Sequence, residues 1–227
     1  MPNNSAGLIA KAFAVYVKDL RLELRTRNAL NAVLMFGITT LTVVSFSLGQ
    51  SSLSPKLLSA LFWVIIFFSA MSGLAQTFIR EEETGTSLAL KLTADPDSIY
   101  IGKLFFNITL LSTLTIIITP LFFIFTDAPT DNVGRFIVIL VLGVLGLCVA
   151  TNIVAAIIAK ASVKGTLFAV LSFPVLITLL IVLVGASEKI FDGQSFSTIM
   201  SEIKFLIAYI VIMLTMSILL FKFVWEE

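Results

Sequence analysis

Residues 135–159 read RFIVILVLGVLGLCVATNIVAAIIA, and this stretch decides the fold class. After Arg135 it contains no charged side chain, and it is long enough to cross the hydrocarbon core of a bilayer, which takes about 20 helical residues. It lacks the strict alternation of apolar and polar residues that a membrane β-strand shows. Because every backbone amide in lipid needs an internal partner, the stretch is predicted to be a transmembrane α-helix.

Five further apolar stretches of similar length lie along the chain. The six predicted spans cover residues 29–49, 57–79, 104–125, 135–159, 166–185 and 203–224. Of the 227 residues, 58% are hydrophobic and 13% are charged, whereas a soluble domain has about 25% charged residues. We therefore expect an all-α integral membrane protein with six transmembrane helices, forming a single domain over residues 1–227.

Residues 1–28, before the first span, have a different pattern. Apolar side chains recur there at helical spacing, and basic side chains occupy the other faces. The apolar set is Ile9, Phe13, Tyr16, Val17, Leu20 and Leu24, and the basic set is Lys11, Lys18, Arg21 and Arg25. This pattern predicts an amphipathic helix on the inner membrane surface. Similar spacing over residues 196–203 predicts a short interfacial helix before the sixth span.

The distribution of lysine and arginine predicts the orientation, because these residues are in excess in cytoplasmic segments close to the spans. With both termini in the cytoplasm, the inner segments hold Lys11, Lys18, Arg21, Arg25, Arg27, Arg80, Lys91, Lys103, Lys160, Lys164 and Lys222. The outer segments hold Lys56, Arg135, Lys189 and Lys204. An even number of spans is consistent with both termini on one side.

The residue types exclude several kinds of chemistry. The chain has no histidine and one cysteine, Cys148, so it cannot assemble a zinc site or a Cys/His nucleophile pair. No glycine-rich loop followed by lysine is present to bind ATP. The interiors of the first five predicted spans contain no Asp, Glu, Lys or Arg, which disfavours ion-coupled transport. We therefore expect no enzyme activity, no bound metal or cofactor, and an energy source on a partner protein.

The longest predicted cytoplasmic loop, residues 80–103, opens with the charged sequence REEETGT. Its three consecutive glutamates, Glu81, Glu82 and Glu83, point in different directions on a helix, which is poor geometry for paired-carboxylate catalysis. Two interpretations stay open from the residues alone. The glutamates form a solvated face, or they contact a cytoplasmic partner.

Three segments carry a resemblance to a known family. Residues 46–49 (FSLG), 63–74 (WVIIFFSAMSGL) and 80–86 (REEETGT) occur in an order and spacing that resembles the haem exporter protein B family of cytochrome c maturation. The resemblance implies an ABC-2-type exporter permease in the bacterial inner membrane, energised by a separate ATP-binding-cassette ATPase. It further implies a second copy of the chain, a haem-handling membrane protein and a haem chaperone as partners, with ATP on the ATPase and haem as possible cargo.

The resemblance also gives the charged loop a role. In permeases of this type the segment between the second and third spans contacts the ATPase and couples ATP hydrolysis to haem export or to release of the haem-loaded chaperone. The coupling residues it implies are Arg80, Glu81, Glu82, Glu83, Thr84, Gly85 and Thr86. Two alternatives are a permease of the same architecture that exports a lipid, drug or polysaccharide, and a membrane scaffold that transports nothing.

Overall fold

A computed structural model describes residues 4–48, 53–74, 76–159 and 164–226. All regular structure in these ranges is α-helical, which confirms the predicted fold class. The helices are α1 (Asn4–Thr26), α2 (Asn28–Leu48), α3 (Pro55–Leu74), α4 (Gln76–Glu83), α5 (Ser87–Thr93), α6 (Pro96–Thr126), α7 (Val133–Ala159), α8 (Lys164–Phe191) and α9 (Phe196–Glu226).

Six segments of the described chain are long and apolar enough to cross a membrane. They are Asn28–Ser47, Pro55–Glu83, Pro96–Thr126, Val133–Ala159, Ser172–Phe191 and Phe196–Trp225, and each contains most of one predicted span. The third span begins about two turns earlier than predicted, because Pro96 at the first helical turn starts α6 before the apolar residues do. The prediction of a separate short helix at 196–203 was wrong, because α9 is continuous from Phe196. Residues 160–163, in the predicted fourth-to-fifth connection, lie outside the described ranges.

The stretch quoted at the outset forms the centre of the bundle. Helix α7 contacts α3, α4, α6, α8 and α9, and it is the most deeply buried of the six spans, whereas α9 is the least buried. Two glycines allow neighbours to approach α7 closely. A Cβ atom on Gly143 would come within 2.2 Å of the Trp63 ring, and one on Gly146 within 3.0 Å of Leu179. These glycines therefore serve packing of α3 and α8 within one chain.

Aromatic rings join the spans at the end of the bundle where α3 begins. Phe62 of α3 meets Phe122 of α6 edge to face with ring centroids 5.1 Å apart, and it meets Phe136 of α7 at 5.0 Å. Phe136 in turn stacks on Phe191 of α8 at 5.1 Å. Each such pair adds about 0.5–1.5 kcal/mol beyond area burial, so four spans are held together at this end.

Helix α1 packs against the first half of α6, and the contact depends on a glycine. A Cβ atom on Gly102 would lie 2.6 Å from the Ala12 carbonyl oxygen and 2.7 Å from Val15 Cβ. The face of α1 that meets α6 contains Ala12, Val15 and Asp19, all buried. Within the segment before the first span, residues 4–26 form helix α1, and one face of that helix packs on protein.

The packing around Gly143 predicts a stability difference between two glycines of α7. Gly143→Ala should destabilise the chain by about 1–3 kcal/mol, because the added methyl group overlaps Trp63. Gly134→Ala, on the same helix, meets no atom within 4 Å and should be neutral or slightly stabilising through helix propensity. Thermal unfolding of both variants in detergent measures the difference, and equal midpoints would contradict the packing described here.

Candidate functional site

The REEETGT sequence folds as the end of one helix and the start of the next. Gly85 has a left-handed backbone with φ +67°, and its N–H donates to the Glu82 carbonyl. The Thr86 N–H donates to the Glu81 carbonyl at 3.0 Å. These two bonds form a Schellman motif, in which glycine is favoured because it adopts positive φ without strain. The motif ends α4 at Glu83 and lets α5 begin at Ser87.

The three consecutive glutamates point in different directions, as the sequence predicts. Glu81 is buried with 6% of its surface exposed, Glu82 is half-buried, and Glu83 is exposed. The Glu81 carboxylate accepts a hydrogen bond from the Thr86 hydroxyl at 2.6 Å, and Glu82 accepts one from Ser87 at 3.2 Å. Of the predicted coupling residues, Arg80 and Glu81 therefore turn inward, whereas the exposed residues are Glu83, Thr84, Gly85 and Thr86.

The Glu81 carboxylate contacts Lys103, a buried lysine that the sequence analysis placed in the cytoplasmic loop. Lys103 lies two turns inside α6, has no exposed surface, and places its Nζ 3.1 Å from Glu81 and 3.3 Å from Asp19 of α1. Its third contact is the Thr77 carbonyl oxygen at 2.9 Å. Lys18 of α1 pairs with the same two carboxylates. We call Lys18, Asp19, Glu81 and Lys103 the Lys103 cluster.

The charges of the Lys103 cluster balance, because two ammonium groups face two carboxylates. Burying an isolated ion costs several kcal/mol, so Lys103 is tolerated only where the carboxylates and the Thr77 carbonyl replace its hydration. Burial opposes ionisation of Lys18, but its contacts with Asp19 and Glu81 outweigh that effect and raise the pKa of Lys18. Lys18 therefore stays cationic at neutral pH.

A second ion pair holds the turn between α1 and α2. The Glu23 carboxylate lies 3.9 Å from Arg80 and accepts the Leu30 backbone N–H at 2.7 Å, in the first turn of α2. A carboxylate is favourable at a helix N-terminus, where backbone N–H groups have no helical partner. Arg27, between the two helices, has φ +54°, so this turn needs such an anchor.

A cavity of about 320 Å³ separates α1 from α4 beside the Lys103 cluster. Side chains of both signs line it, including Lys18, Asp19, Glu23, Arg80 and Glu81. The two helices are consequently joined by long charged side chains around a cavity and not by close apolar packing. Among the described residues, no three cysteine, aspartate or glutamate side chains converge in a way that could hold a metal ion.

Buried amides continue the polar contacts from the cluster into the bundle. The Thr77 hydroxyl donates to Asn107 Oδ1 at 2.6 Å, Asn107 donates to Asn152 Oδ1 at 2.9 Å, and Asn152 Nδ2 lies 3.4 Å from the Tyr100 carbonyl. This chain links α4, α6 and α7. The sequence analysis did not single out either asparagine, and it placed Lys103 in the cytoplasmic loop. The asparagines had an available signal, since polar side chains within apolar runs usually have a buried partner.

Helix α5 lies beside the C-terminal end of α9. Leu90 is its buried residue, and the Lys91 ammonium lies 5.6 Å from the Trp225 ring centroid. By contrast, Leu88 is 66% exposed and Leu92 is 81% exposed. Helix α5 is thus fixed to the bundle on one side and displays two large apolar side chains on the other.

The Lys103 cluster predicts a large effect from one substitution. Lys103→Met should destabilise the chain by about 3–5 kcal/mol, because Asp19 and Glu81 would then be buried with only Lys18 to balance them. Thermal unfolding in detergent measures the loss, with Lys56→Met as an exposed control. The triple variant Lys103→Met, Asp19→Asn, Glu81→Gln should recover part of it. A control-like midpoint for Lys103→Met alone would contradict the cluster's role.

No curated protein matches the sequence. The family model described as CcmB protein matches residues 10–223, which is nearly the entire chain and includes most of α1, the Lys103 cluster, the first five spans and nearly all of the sixth. The chain therefore belongs to the CcmB family, the haem exporter protein B family, as a membrane permease subunit of an ATP-binding-cassette transporter in cytochrome c maturation or haem export.

Proposed function

We propose that this chain couples ATP hydrolysis by a separate ATPase subunit to haem export or to release of a haem-loaded chaperone. The observation that carries the proposal is the surface of α5. Leu88 and Leu92 lie four positions apart on one side of α5 and are both exposed, and adjacent exposed apolar side chains outside the spans mark contact sites. We infer that these leucines enter a groove on the ATPase, with Glu83 making a polar contact at its edge.

The charge distribution supports a cytoplasmic position for this surface. Helices α1, α4, α5 and the end of α9 meet at one end of the bundle, as the Lys18–Glu81 and Lys222–Asp97 ion pairs indicate. This end holds most of the basic residues, and basic residues favour the cytoplasmic side. We therefore propose both termini in the cytoplasm and insertion in the bacterial inner membrane.

The contacts of α5 suggest how movement at the ATPase would reach the spans. Asp95, between α5 and α6, pairs with Lys11 of α1 at 2.8 Å, and Asp97 of α6 pairs with Lys222 of α9 at 3.2 Å. Helix α4 is tied to α6 through Glu81 and Lys103. A displacement of α5 would thus act on α1, α4, α6 and α9 together, since the three ion pairs connect these helices at one end.

The other proposed partners follow from the family and from what this chain lacks. We propose a second copy of the chain, a haem-handling membrane protein and a haem chaperone as further components. The chain contains no histidine, so histidine ligands for haem would have to come from those components. This composition suits a subunit that transmits movement, with ATP on the ATPase and haem as possible cargo.

Replacing the exposed leucines tests the docking surface. The variant with Leu88→Ser and Leu92→Ser should bind the ATPase at least tenfold more weakly, because two apolar side chains no longer leave water on association. Co-purification of the ATPase and its rate of ATP hydrolysis are the measurements. Leu57→Ser, exposed at the opposite end of the bundle, is the control. Unchanged ATPase binding in the double variant would reject α5 as the docking element.

Charge reversal tests the polar part of the same surface. Glu82→Lys with Glu83→Lys should uncouple ATP hydrolysis from cytochrome c maturation while membrane insertion stays normal, because neither carboxylate belongs to the Lys103 cluster. Asp131→Lys with Asp192→Lys makes the same charge change on exposed positions at the opposite end and should have no effect. Full maturation of cytochrome c in the glutamate variant would sink the coupling role of this loop.

A further inference from the structure

Helix α1 has three distinct faces, and only one of them packs on protein. The packed face contains Ala12, Val15, Asp19 and Glu23, which are all buried. Asp19 and Glu23 are the two acidic residues of α1, four positions apart and therefore on one side of the helix. Both are compensated inside the protein, Asp19 by Lys103 and Glu23 by Arg80. Both acidic side chains of α1 are thus buried, and neither contributes charge to its exposed surface.

The second face of α1 is apolar and exposed. Ile9 is 68% exposed, Phe13 63% and Leu24 62%, so three large side chains have no protein neighbour over most of their surface. Beside them, a groove of about 310 Å³ lies between α1 and α6. Phe13 and Phe105 are among its lining residues, and the lining is almost entirely apolar.

The position of the groove identifies what fills it. Phe105 belongs to α6, which is a membrane span, and it is 56% exposed on the outside of the bundle. Acyl chains of the bilayer surround the outside of a span. The groove between α1 and α6 is therefore open to lipid on its α6 side, and an acyl chain is the apolar occupant that reaches it without any further protein.

The third face of α1 is basic. Lys18, Arg21 and Arg25 are exposed, and in the described part of the chain Arg21 and Arg25 make no ion pair. Because the acidic residues point inward, nothing on the outer surface of α1 offsets these guanidinium groups. A face of this sign next to an exposed apolar face matches the surface of an anionic leaflet, where phosphate groups lie just above the acyl chains.

We propose that α1 is a binding site for anionic phospholipid, with acyl chains against Ile9, Phe13 and the α6 groove and with headgroup phosphates at Arg21 and Arg25. The site rests on the fold of α1 and α6 and is independent of the coupling role of α5. Specificity for anionic over zwitterionic lipid arises from the inward turn of Asp19 and Glu23. If those carboxylates were exposed, they would cancel the attraction to phosphate.

The test uses the full chain, purified in uncharged detergent and titrated with phosphatidylglycerol or with phosphatidylcholine of the same acyl chains. Native mass spectrometry measures the lipid retained. We expect phosphatidylglycerol to be retained preferentially and less so at high salt. Arg21→Gln with Arg25→Gln should lower its retention by about fivefold for each cation removed. Lys56→Gln with Lys204→Gln, which makes the same charge change on exposed positions elsewhere, should lower it little.

Several outcomes would overturn the proposal. Equal retention of the two lipids by the unaltered chain would show that the site does not prefer anionic lipid. An equal loss of phosphatidylglycerol in the two double variants would show that net charge, and not the face of α1, determines retention. If the arginine variant keeps its lipid but loses the ATPase on co-purification, the basic face binds an acidic protein surface instead. An unchanged unfolding midpoint of the arginine variant in lipid-free detergent shows that α1 is still folded, so a loss of lipid then supports the site.

Discussion

The burial of Lys103 is the constraint on which the rest of the N-terminal half depends. An ammonium group with no exposed surface needs carboxylates close by, and its own helix supplies none at the right place. Asp19 comes from α1, 84 positions away, and Glu81 comes from α4, 22 positions away. Satisfying one cation therefore fixes how α1, the end of α4 and the membrane span α6 lie against each other.

That constraint also decides which groups remain on the surface. Because Asp19 and Glu23 turn inward, the outside of α1 keeps its lysines and arginines and loses its acidic character. Because Glu81 turns inward, the exposed part of the REEETGT segment consists of Glu83, Thr84, Gly85 and Thr86, followed by the leucines of α5. The buried cluster thus lies between the surface that we propose for lipid and the surface that we propose for the ATPase, at one end of the bundle.

The six spans and the helical class were predictable because they depend on local composition. A run of apolar residues long enough to cross a bilayer has few alternatives to a helix, whatever its neighbours are. Helix ends were less predictable. Hydropathy marks where residues become apolar, whereas α6 starts at Pro96, in the polar sequence DPDS, and α9 continues without a break through residue 203, where the predicted short helix met the predicted sixth span.

Local sequence was enough to predict the membrane class, the number of spans, a helix before the first span, and an acidic segment with a glycine after the second span. Three features became known only from the tertiary structure: Glu81 is buried beside Lys103, the Trp63 ring packs against Gly143, and two leucines of α5 are exposed. The physical reason is the distance along the chain over which each effect acts. Lipid acts on each stretch separately, so hydropathy can be read locally, but a charge or a cavity is satisfied by groups that only folding brings together.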